Sequence, residues 1–175
     1  MAKKQDEFTV DTQEVETTIN YYLDDGVEAE QPSEGWHNAQ LVDFAIQPNK
    51  AQTGDNMVFN FELAEDDPDR PGMRFTQYIA MPTEETAQNF KEWLAAGKPR
   101  DWGGGYIKKD GRHAHQNTMN RIKRIMTAFG GPESGTFDFN YFFSCIGSMV
   151  KINLKLDKDS DVTRMNITYN GIAPF

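Results

Sequence analysis

The alternation over residues 56–63 constrains this chain more than any other stretch. In Asn56-Met57-Val58-Phe59-Asn60-Phe61-Glu62-Leu63 every odd position is large and apolar, while Val58, Asn60 and Glu62 fill the even ones. A period of two marks a strand with one face on a core and the other left for water or a ligand. Upstream, residues 36–46 hold Leu41, Val42, Phe44 and Ile46, and the polar run 48–55 between the two stretches carries Pro-Asn and Thr-Gly-Asp turn chemistry. Residues 35–64 therefore read as a long antiparallel hairpin with an extended loop. Leu41 and Phe44 cannot both point inward on a regular strand. Either a bulge re-aims the strand and puts Phe44 in the core, or Phe44 faces a ligand groove.

The rest of the chain supplies further elements in a definite order. The breaker-rich run 64–72 leads into a third strand over residues 73–80, with Phe75 and Ile79 on one face and Arg74, Thr76 and Tyr78 on the other. Thr83 is placed to cap a helix, Glu84 and Glu85 suit its positive end, and Gly97 stops it. Ala87, Phe90, Trp93 and Leu94 fall at helical spacing along it. Residues 98–116 hold Pro99, Gly103-Gly104-Gly105 and Gly111, which oppose regular structure. A second helix is expected from about residue 117 to 129, with Met119, Ile122, Met126 and Phe129 inward and Gly130-Gly131-Pro132 ending it. Val150, Ile152, Leu154 and Leu156 then alternate with Lys151, Asn153 and Lys155, and Met165, Ile167 and Tyr169 alternate with Asn166, Thr168 and Asn170. The result is a mainly β chain with helices (α+β). Five strands, with a helix and a basic loop-helix insert between the third and fourth, follow the element order of an OB-fold-like barrel.

Charge is distributed unevenly along this order. The chain carries a net −9, but residues 1–34 hold ten acidic residues against Lys3 and Lys4, so nearly the whole excess lies there. Residues 98–131 hold eight basic residues against Asp101 and Asp110. An acidic N-terminal arm, 1–34, and a domain, 35–175, that contains the basic insert 98–131 follow from this division. Cys145 is the single cysteine and sits in an apolar run, so it reads as a small buried side chain in a reducing setting. No stretch has the length and apolarity of a membrane span, and the N-terminus lacks a secretion signal. A cytoplasmic location without membrane contact is expected.

Four short motifs resemble a known family. Phe8-Thr9-Val10-Asp11, Glu34-Gly35-Trp36, Thr53-Gly54-Asp55-Asn56-Met57 and Gly147-Ser148-Met149-Val150 are similar to those of an uncharacterised bacteriophage family of OB-fold-like proteins, itself similar to phage single-stranded-DNA-binding proteins. The resemblance covers most of residues 8–97 and 137–175. The family's connection before the final strands is usually shorter, so the insert 98–131 takes no role from it. The resemblance implies a phage protein in the host cytoplasm that coats single-stranded DNA during replication or recombination, with bases on aromatic rings and phosphates on basic side chains. Such proteins commonly carry an acidic tail that recruits partners, whereas here the acidic segment is N-terminal. Stacking of this kind contributes about 1–3 kcal/mol per base.

The residues suited to that chemistry are Lys50 in the hairpin loop, Arg74 and Tyr78 on the third strand, and Trp102, Tyr106, Lys108, Lys109 and Arg112 in the insert. A loop with no helix to pack against has little structural use for Trp102 and Tyr106. Arg121 and Lys123 flank the apolar stripe of the second helix, with Arg124 opposite it, and a solvated helix face explains these three equally well. His113-Ala114-His115 has a metal-like spacing without neighbouring ligands and reads as a surface loop. Asp157-Lys158-Asp159-Ser160-Asp161 starts like a calcium loop but has Val162 where glycine is required and Thr168 where the glutamate belongs. No triad order or phosphate loop can be read, and the acids of the arm and breaker loops lack an apolar setting that would shift a pKa. A non-enzymatic protein without cofactor or metal is expected. Single-stranded DNA is the expected partner, with replication or recombination proteins reached through the arm and self-association left open. The alternatives are a protein-interaction module for a replication, recombination or host-defence partner, and a virion structural protein.

Overall fold

The computed structural model describes residues 31–157 and 164–175. Residues 1–30 of the acidic arm and residues 158–163 of the calcium-like run lie outside the described residues, so neither reading is addressed. The elements are β1 (Gly35–Pro48), β2 (Asp55–Leu63), β3 (Arg74–Ala80), α1 (Glu84–Ala95), α2 (Ala114–Ala128), α3 (Asn140–Ser144), β4 (Met149–Asp157) and β5 (Arg164–Pro174). All five strands join one antiparallel sheet in the order β3-β2-β1-β4-β5. The fold is α+β, with the helix and insert between β3 and β4 as expected. The sheet is open: among the described residues no ladder joins β3 to β5, so the expected closed barrel is not what the hydrogen bonds form.

β1 is central because it is long enough to pair twice. Its first residues, Gly35 to Gln40, run against β4, and Ala39 to Pro48 run against β2. A register shift between Leu41 and Asp43 leaves Val42 as an extra residue, and this bulge turns the strand so that Leu41 and Phe44 both lie in the core. Of the two alternatives for Phe44, the structure has the first. Its ring stands 4.9 Å from Phe59 and 5.5 Å from Phe142, and Phe142 on the short α3 also meets Phe59 edge-on at 4.9 Å. The inner face of β2 is Met57, Phe59, Phe61 and Leu63, all buried. Val58 departs from expectation: it faces away from them yet is only 3 % exposed, in register between Ala45 and Tyr78.

β5 contains a larger irregularity. Leu154 pairs with Ile167 and Ile152 with Ile172, so residues 168–171 stand opposite Asn153 alone. Gly171 lies in this bulge, where an added Cβ would come within 2.9 Å of the Asn153 carbonyl oxygen. The strict alternation read from the sequence would place Tyr169 with Met165 and Ile167. The bulge breaks that phase, and Tyr169 is 62 % exposed.

A buried polar latch ties the entry to β1 to the β2–β3 loop. His37 Nδ1 is 2.9 Å from Asp67 Oδ2 and its Nε2 is 2.7 Å from the Ser33 carbonyl oxygen. Asp67 Oδ1 accepts the backbone N–H groups of Asp69 and Arg70 at 3.0 and 3.2 Å, and Asp69 accepts from the Ser33 N–H and hydroxyl. The sequence offered no reason for an acid of this loop to titrate abnormally. Burial pushes the Asp67 carboxyl up, but the hydrogen bonds from His37, Arg70 and Asp69 outweigh it and hold the group below the ordinary 3.8. A carboxyl held low stabilises the fold above the unfolded-state value, and that contribution is lost as pH falls through the folded-state value. Asp67→Asn is expected to cost about 1–3 kcal/mol at neutral pH. In urea titrations the gap between wild type and variant should narrow below about pH 4; a gap independent of pH would show that the carboxyl is not held low.

Candidate nucleic-acid interface

The basic insert is folded onto α1 rather than free of it. Thr83 caps α1 as its sequence indicated, its hydroxyl accepting from the Thr86 N–H at 3.2 Å. On the flank of α1, Asn89 Oδ1 accepts two hydrogen bonds, from Trp102 Nε1 and from His113 Nε2, each 2.8 Å long. Tyr106 donates to Glu85 at 3.0 Å and stacks on the His113 ring at 5.4 Å, nearly parallel. The premise that Trp102 and Tyr106 have no helix to pack against is therefore corrected. These bonds hold the loop, and Trp102 is half-buried in it.

His113 organises the next helix. It is fully buried, not in a surface loop, and its Nδ1 accepts the His115 N–H at 3.0 Å while Gln116 Oε1 accepts the His113 N–H at 3.0 Å. This reciprocal capping starts α2 at Ala114, three residues before the expected start. Donation from Nε2 and acceptance at Nδ1 fit a neutral ring, and burial, with His115 adding, pushes its pKa down. With both nitrogens engaged, His113 has no lone pair for a metal. The one His and carboxylate grouping close enough to hold an ion among the described residues is His37, Asp67 and Asp69, and its atoms are occupied by the latch.

The docked insert leaves a groove between α2 and β5. The stripe of α2 that enters the core contains Ile122, Ile125 and Met126. Beside it, Arg121 lies half-buried against the bulged end of β5 and Lys123 and Arg124 are exposed along β5, joined by Arg112 from the turn before the helix. The groove has a polar compartment of about 280 Å³ next to Tyr169 and Asn170. A wider one of about 590 Å³ next to Trp36, Ala173 and Pro174 shares Arg112, Asn120, Arg124 and Asn170 with it. Asp110 is the one carboxylate among these lining residues, 3.8 Å from Arg112 Nε. Two rings stand open along the groove: Trp36 is 53 % and Tyr169 62 % exposed. The Arg121 guanidinium lies over the Tyr169 ring, 4.1 Å from its centre.

Of the ten candidates read from the sequence, Arg112, Arg121 and Lys123 line this groove. Lys108 and Lys109 sit on the turn that the Ile107–His113 bridge closes, just before Arg112. Lys50 is exposed in the β1–β2 loop. Arg74 is ion-paired to Glu62 at 2.9 Å, and Tyr78 is exposed on β3; none of these three lines the groove. Sequence reasoning passed over Trp36 and Tyr169, and it weighed Arg124 only as lying opposite the apolar stripe, outside the ten. Arg124 follows Arg121 by one helical turn, a spacing that places the two side by side. For Trp36 the signal was the alternation with His37, Ala39 and Leu41, and for Tyr169 it was Gly171, since a glycine within a strand often marks a bulge.

Two outcomes follow from the docking of the insert. Asn89→Ala leaves the buried Nε2–H of the His113 ring unpartnered and should lower stability by about 1–3 kcal/mol in urea unfolding, with Asn89→Asp, which still accepts, recovering much of it. Because the folded-state pKa of His113 is depressed, its contribution is complete above the ordinary 6.5 and falls as pH drops below it, where only the unfolded chain takes up the proton. Urea midpoints of wild type should therefore drop between about pH 7 and 5, and a His113→Gln variant should lose part of that drop. No known family model matches the chain, and no curated protein does.

Proposed function

We propose that this protein binds single-stranded DNA, without catalysis and with little sequence preference, in the groove between α2 and β5. One observation carries the reading: Arg112, Lys123 and Arg124 converge with the open rings of Trp36 and Tyr169, the latter under Arg121, on one groove that has a single carboxylate. Cations that follow a backbone and rings that offer a face to any base are what sequence-tolerant binding of a single strand requires. The strand order β3-β2-β1-β4-β5 supports an OB-like scaffold left open between its last neighbours, consistent with the partly open form of that barrel. The resemblance noted above supports a place in phage DNA replication or recombination. A second reading, a docking module for a replication, recombination or host-defence protein, draws on Phe143 and Ile146, which are 45 % and 42 % exposed on and just after α3 and away from the groove.

An oligonucleotide of about 30 nucleotides, longer than a site of about 4–16, separates the two readings. Binding should quench the fluorescence of Trp36, since Trp93 is buried and Trp102 half-buried, and Trp36→Phe should abolish the quench. Affinity should fall linearly on a log–log plot against salt, and Arg124→Gln should reduce the slope by about 0.7. No binding at low salt would overturn the proposal in favour of the docking module.

A further inference from the structure

Tyr169 is held in an unusual position for a strand residue. The bulge at residues 168–171 swings it out of the core phase, and a ring on such a bulge would be free to turn. Arg121 covers one face of this ring, with its guanidinium carbon 4.1 Å from the centroid. The arginine itself gains little stability from the arrangement. Its Nε is buried without a hydrogen-bond partner, and it has no ion pair with a carboxylate among the described residues. Burial pushes its pKa down, with Tyr169 opposing. A half-buried cation whose one counterpart is a ring face is a costly way to build a core and an apt way to fix a ring, because the planar guanidinium stacks where an ammonium cannot. With one face under Arg121, Tyr169 is still 62 % exposed, and it borders both this groove and a second cavity of about 590 Å³ that Glu34, Lys155, Asp157, Asn166 and Thr168 line.

We propose that Arg121 is a positioning residue: it clamps one face of Tyr169 so that the other face serves as a one-sided platform for a single unpaired base of the bound strand. Arg112 and Arg124, which line the groove beside Tyr169, serve the adjoining phosphates. The inference rests on the groove being the DNA site proposed above. It assigns Arg121 a different task from its basic neighbours, since it acts on the ring and not on the phosphates.

The test is a double-mutant cycle on the full chain with an oligothymidylate of about 30 nucleotides. Tyr169→Leu and Arg121→Met should each weaken binding about tenfold, and the double variant should be no weaker than either, because both remove the same platform. Arg121→Lys should fail to restore affinity, and the salt slope of Arg121→Met should equal that of wild type. An abasic strand, which keeps its phosphates, should bind Tyr169→Leu and wild type equally. Losses that multiply, or full rescue by lysine with a slope reduced by about 0.7 in Arg121→Met, would make Arg121 a direct phosphate contact and overturn the inference while leaving the DNA site intact. Wild-type affinity in Tyr169→Leu would do the same. Failure of wild type to bind the strand would remove both readings together. Thermal unfolding of each variant controls for misfolding; if Arg121→Met does not fold, the cycle with Arg121→Lys decides.

Discussion

The extra residue in β1 is the constraint on which the fold depends. A strand that must pair with β4 along its first half and β2 along its second has to keep its apolar side on one core throughout. The spacing from Leu41 to Phe44 is odd and would put them on opposite faces. The bulge at Val42 absorbs the odd step, at the point where β1 also bonds Gly147 and Ser148 ahead of β4, Leu41 donating to Ser148 at 3.0 Å and accepting from Gly147 at 2.7 Å. Phe44 then meets Phe59 and Phe142, and ring pairs of this kind add about 0.5–1.5 kcal/mol each beyond their burial. Through Phe142 the same interaction anchors α3, which delivers the chain to β4.

The bulge in β5 works in the reverse direction. It takes an aromatic residue from the phase of the core and presents it beside α2, whose own periodicity sends Ile122 and Ile125 inward and leaves Arg121 and Arg124 along the groove. The positive surface and the open rings therefore come from elements that are separate in sequence: a turn, a helix and two strands. No helix among the described residues is long and apolar enough to cross a membrane. The proposed DNA site is this lateral groove, while the outer face of β2 and β3 carries its own polar contacts, such as Arg74 with Glu62 and Thr76 with Asn60.

Much of the architecture was legible because its signals are local. The alternation of Met57, Phe59, Phe61 and Leu63 identified β2, the pairs Phe75 and Ile79 oriented β3, and Thr83 marked the start of α1. The errors have a common cause. Val58, Trp102, Tyr106 and His113 were judged by their neighbours in sequence, but each is placed by a partner elsewhere: Val58 by the strands on either side, and the other three by Asn89 and Glu85 of α1. A polar side chain on a helix flank gives no sign in the sequence of which loop it will hold.

By itself the sequence determined the number, kind and order of the strands, the helix cap at Thr83 and the concentration of positive charge in residues 98–131, because periodicity, capping and charge are properties of contiguous residues. Only the tertiary structure decided that the sheet stays open, that the insert docks on α1, and that Trp36, Arg121, Arg124 and Tyr169 share one groove. Those outcomes depend on where two bulges shift the register and on which distant groups satisfy buried polar atoms, and neither is a property of any single stretch of chain.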